Sequence, residues 1–140
     1  MTKYNREEAL AKIRAKIDAN KRLVTSLLDK DDFLDEDGYP TDDALTIIEK
    51  WHWDDCDGWF KFIESIWHLR SWGWSEGLVP EDNGFDIKNK QQYEYHISTA
   101  GWSGNESIIR AMQKNDMMWH MTWVQSRRGG HYIFEKKEFE

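Results

Sequence analysis

A single cysteine, Cys56, occurs in the 140-residue chain, so no disulfide can form within it, as suits a reducing compartment. Neither a Cys-x-x-Cys unit nor a pair of histidines four residues apart is present to build a tetrahedral metal site. No apolar run approaches the roughly 20 residues of a membrane-crossing helix. The opening Met-Thr-Lys-Tyr-Asn-Arg-Glu-Glu has no signal-type apolar core, which predicts a cytoplasmic protein. A cationic surplus is missing too. Nineteen Lys and Arg stand against 26 Asp and Glu, a net charge of −7 that disfavours binding to duplex nucleic acid. Internal repeats and low-complexity segments are also absent, and the length fits one domain spanning residues 1–140.

What the chain does have is aromatic mass: nine Trp, six Phe and five Tyr. Each such ring buries on the order of 150–250 Å², so a few can fill a small core, and one or two are left over to line a groove. Charge is divided unevenly. Residues 1–60 hold 9 basic and 15 acidic side chains, whereas residues 88–140 hold 8 and 6. The acidic N-terminal part offers a solvated face or a surface for a basic partner.

Helical spacing dominates the first half. Asn5 with Glu8 forms a capping box ahead of Leu10, Ile13, Ile17, Leu23 and Leu27, which predicts a helix over 6–28. The acidic stretch 29–41 resembles a calcium loop only superficially. With Gly38 at the sixth position, the first and twelfth fall on Phe33 and Ala44, so it reads as a solvated turn. Thr41 then caps a helix bearing Ala44, Ile47, Ile48 and Trp51, and Asp57 is placed to cap a third that carries Phe62, Ile63, Ile66 and Trp67 toward Gly73. The helical half covers about 5–73, and residues 73–91, rich in Gly, Pro and Asn, read as a loop.

The pattern then alternates. Tyr93, Tyr95, Ile97 and Thr99 predict a strand over 92–99, the apolar run 117–125 predicts a central strand, and His131–Lys137 an edge strand after an Arg-Arg-Gly-Gly hairpin turn. Ser103 and Glu106 form a second capping box for a short helix between the first two. The expectation is α+β: about three N-terminal helices on a small C-terminal mixed sheet of β-α-β-β order (about 91–138), its first two strands parallel across a crossover.

Parallel strands would bring their C-terminal ends, and so the 101–105 and 126–130 reversals, to one sheet edge. There Trp102, Ser103, Gly104 and Asn105 offer a helix N-terminus and a stacking ring, and Arg127, Arg128 and His131 offer anion donors. That edge is the expected site for a small anionic, nucleotide-like ligand, with no catalytic residue, metal or cofactor assigned. Two His-x-Ser/Thr units, His96-Ile97-Ser98 and His120-Met121-Thr122, resemble the paired motifs of two-histidine phosphoesterases and imply a general acid and base. Cys56, among three aspartates, is a poor nucleophile, because their charge raises a thiol's pKa.

The stretches from Tyr95 to Ile109 and from Gln125 to Glu135, with Asp37-Gly-Tyr-Pro-Thr and the Trp-rich middle, are similar to small proteins encoded in bacteriophage and prophage genomes. The similarity spans most of the chain and carries over no catalytic residues. It implies the cytoplasm of an infected bacterium and an accessory role. Three readings follow, in this order: a ligand-binding module, an acidic factor that binds and modulates a host protein, and a phosphoesterase using His96 and His120.

Overall fold

A computed structural model describes residues 5–80 and 91–137. Six helices and four strands occur among them: α1 (Arg6–Lys30), α2 (Asp42–Lys50), α3 (Cys56–Ile66), α4 (Arg70–Gly73), β1 (Trp74–Pro80), β2 (Gln91–Ser98), α5 (Ser103–Lys114), α6 (Asp116–Thr122), β3 (Trp123–Arg127) and β4 (His131–Glu135). The class is α+β, with helices first and a four-stranded sheet toward the C-terminus. No helix among the described residues is long and apolar enough to cross a membrane.

Local chemistry sets the helix starts. Asn5 Oδ1 accepts from the Glu7 and Glu8 N–H groups at 3.0 and 3.2 Å, and Thr41 Oγ1 accepts from Ala44 N–H at 3.2 Å, satisfying donors that the first turn leaves orphaned. The third helix begins earlier than expected. Asp55, rather than Asp57, is its cap, accepting from Gly58 N–H at 3.0 Å, because the chain is already helical from Cys56. Asp57 sits in the first turn instead, paired with Lys61 at 2.8 Å and Lys136 at 3.0 Å.

The sheet departs from expectation in three ways. It is antiparallel throughout, in the order β1-β2-β4-β3, so there is no parallel pair and β4 lies inside the sheet rather than at its edge. Residues 116–122 are helical: Met118 and Thr122, four apart, are the buried positions, and methionine is a strong helix former. An apolar run with little polar contrast satisfies period 2 and period 3.6 alike, and here the longer period won. Lastly, residues 74–80 form strand β1, which pairs Trp74 with Ile97 and Val79 with Gln92. Gly77 and Pro80 hid its alternation, yet an edge strand tolerates both. The remainder of the expected loop, residues 81–90, lies outside the described residues.

The helices cover one face of the sheet. Phe60 of α3 stacks on Tyr95 at 3.9 Å between ring centroids, Trp119 of α6 meets Phe134 edge-on at 5.3 Å, and Trp59, Ile63, Ile108 and Met112 are fully buried between them. Stacked and edge-on rings add about 0.5–1.5 kcal/mol each beyond the area they bury. Two buried asparagines fasten α5 at its ends. Asn105 Oδ1 accepts from His68 N–H at 3.0 Å and its Nδ2 donates to the His68 and Thr99 carbonyls, while Asn115 Nδ2 donates to the Ile48 and Trp51 carbonyls at 3.0 and 2.9 Å.

Candidate functional site

Although the first and second expected strands do not pair, the two chain reversals do meet. Strands β2 and β3 are each antiparallel to β4, which lies between them, so they run in the same direction and end at one side of the sheet. The junction is close: Thr99 N–H donates to Gly130 C=O at 3.0 Å. Gly130 sits at φ +80°, and a Cβ there would overlap Thr99 Oγ1, so both its conformation and its neighbour require glycine.

The half of the expected site around α5 is occupied by its own side chains. Trp102 stacks on Tyr39 at 4.7 Å, lies 4.2 Å from the His68 ring, and covers Gly104 so closely that a Cβ would fall inside the indole. Ser103 is the first residue of α5 rather than its cap. Its hydroxyl donates to Tyr39 Oη at 3.3 Å, and the predicted capping box with Glu106 is not formed. Asn105 is fully buried and spends its amide on backbone. Trp102, Ser103 and Asn105 thus spend their side chains on neighbours within the chain.

The other half opens onto a cleft. Alternation along the strands turns Tyr95, Ile97 and Phe134 inward and leaves Ser75, His96, Ser98, Ile133, His131 and Arg127 on the opposite face. Register fixes their neighbourhood: Ser75 opposes His96, Ser98 opposes His131, and His131 opposes Arg127. With Trp72 at the rim, these residues bound a cleft of about 360 Å³. Of the seven residues expected at the site, Arg127 and His131 line it; Trp102, Ser103, Gly104, Asn105 and Arg128 do not.

Its electrostatics run against those of the whole chain. Among the described residues no carboxylate lines the cleft, whereas Arg127 and two histidines do, and Arg127 makes no ion pair with any of them. Glu94, two residues before His96 on the same face of β2, has its Oε1 3.0 Å from His96 Nε2. His120, the other expected histidine, is on α6 with Nδ1 2.7 Å from Asp116 C=O, on the helical side of the sheet, so His96 and His120 are not brought together. Cys56 is buried, and that burial is the main reason its pKa is raised; the charges of Asp57 and Asp55 add to it, while a backbone bond to Lys137 and the Lys136 charge oppose.

Sequence reasoning missed Trp72, Ser75 and His96 as cleft residues. The available signal was the alternation of Trp74, Glu76 and Leu78 against Ser75, Gly77 and Val79, which marks a strand able to pair with 92–98. Comparison of the chain with protein-family models, curated proteins and solved structures returned no match.

Proposed function

We propose that the protein is a binding module for a small anionic, nucleotide-like ligand, held in the cleft between Arg127, His131 and Trp72. One observation carries this reading: among the described residues, the cleft is lined by no carboxylate but by a guanidinium without an ion pair and two imidazoles, in a chain of net charge −7. Arginine presents a planar fork of donors that fits a phosphate or carboxylate. The Ser75 and Ser98 hydroxyls supply further hydrogen bonds, and Trp72, 68% exposed at the rim, offers a face on which a base can stack. The volume suits a single nucleotide rather than a polymer groove. An accessory role in a bacteriophage-infected cell is the setting that the sequence resemblance gives this activity.

The test is isothermal titration with mononucleotides and cyclic nucleotides at two salt concentrations. Arg127→Ala should weaken binding at least tenfold, and Arg128→Ala, outside the cleft, should change it little. Equal affinities of wild type and Arg127→Ala would overturn the reading. A second reading, docking on a protein, draws support from α1, where Leu10 and Ile13 of the apolar stripe are 39% and 55% exposed. Binding to a partner that survives Arg127→Ala and is abolished by Ile13→Asp would favour it.

A further inference from the structure

We infer that the cleft is also catalytic: His96 and His131 act as the base and acid that cleave a ribonucleotide phosphodiester by attack of its own 2′-hydroxyl. The inference rests on the anion-cleft reading above and adds a reaction to it. Its starting point is the β2–β4 register. Ser98 opposes His131 and His96 opposes Ile133, so the two imidazoles are diagonal neighbours on one face. Diagonal positions on antiparallel strands lie roughly 7–8 Å apart, which leaves room for one phosphodiester between two rings. Arg127 stands directly across from His131 on β3, next to where the phosphoryl oxygens would rest.

The two histidines are not equivalent. Glu94 Oε1 lies 3.0 Å from His96 Nε2, and a carboxylate there holds the ring proton on Nε2 and leaves the Nδ1 lone pair free to accept another. His96 is therefore the base. His131 has no hydrogen bond to another side chain among the described residues and lines the same cleft, which suits it to deliver a proton to a leaving oxygen. In the step, His96 Nδ1 takes the 2′-hydroxyl proton and the 2′-oxygen lone pair forms a bond to phosphorus. The phosphorus–O5′ bond breaks with its electron pair on oxygen, and that oxygen takes the proton of His131. The products are a 2′,3′-cyclic phosphate and a free 5′-hydroxyl. Atoms and charge balance without a metal or an outside nucleophile. Arg127 is positioned to stabilise the charge gathering on the phosphoryl oxygens.

The experiment uses a diribonucleoside monophosphate as substrate and its 2′-deoxy counterpart, which lacks the nucleophile, as a binding probe. Wild type should convert the first to the cyclic phosphate and bind the second. His96→Ala and His131→Ala, both at exposed positions, should each lower the rate by at least a hundredfold, as loss of an acid or base does, a loss far larger than the accompanying fall in affinity for the deoxy probe. Glu94→Gln, a positioning change, should lower kcat and leave KM unaltered. Variants purified identically to wild type exclude a contaminating ribonuclease as the source of turnover. Binding of the deoxy probe without any cleavage of the ribonucleotide, or cleavage that survives His131→Ala, overturns this inference and leaves the binding module standing. Failure to bind either compound overturns both.

Discussion

Replacing Asn105 with alanine tests whether that residue is a structural fastener. Its side chain is fully buried, takes a hydrogen bond from His68 N–H at 3.0 Å and gives one to His68 C=O at 3.0 Å; a third, to Thr99 C=O at 3.4 Å, is long and contributes little. Truncation strands a donor and an acceptor of one peptide segment. A buried polar group left without its partner costs about 1–3 kcal/mol. Because His68 is itself exposed and water can reach its backbone in part, the lower half of that range applies to each group, about 2–4 kcal/mol together. For a chain of this length that corresponds to a melting temperature lower by roughly 6–12 °C. Urea unfolding followed by tryptophan fluorescence would read it, with an unchanged m-value showing that the denatured state is unaffected. A loss below about 0.5 kcal/mol would refute the accounting. So would a fully stable variant that binds nucleotide poorly, since Asn105 would then belong to the ligand.

Three further outcomes are expected. Gly130→Ala forces a side chain into a left-handed conformation against Thr99 and should cost about 2–3 kcal/mol while pulling the β3–β4 hairpin off the end of β2, visible as lower stability together with weaker nucleotide binding. Glu64 has a raised pKa, chiefly through burial and then the Glu76 charge, partly offset by Arg70. A carboxyl raised on folding favours the folded state below its unfolded pKa and loses that contribution as pH rises through the folded value. Glu64→Gln should therefore stabilise the protein at neutral pH, and the gain should shrink toward zero in acid; a pH-independent difference in denaturation midpoint would contradict this. Cys56, buried and with its thiol pKa raised, should resist iodoacetamide in native buffer and react within minutes once urea unfolds the chain, whereas rapid native labelling would place it at the surface.

The residues themselves determined whatever depends on near neighbours. Asn5 and Thr41 announce their helix starts because a cap is satisfied within three residues, and the aliphatic faces of α2 and α3 repeat at a period only a helix provides. The strand over 91–98 and the turn at Arg127–Gly130 were legible for the same reason. Tertiary structure decided the rest. Whether residues 116–122 coil or extend depended on what Met118 and Thr122 could be buried against, and whether 74–80 is loop or strand depended on Tyr93, Tyr95 and Ile97 lying alongside. The cleft shows the division most clearly. Arg127 and His131 could be named from composition and turn chemistry, but their companions His96, Ser75 and Trp72 join them only through strand register. Register is a relation between segments as far apart as Glu94 and Glu135, set by which faces the core accepts, and no local pattern encodes it.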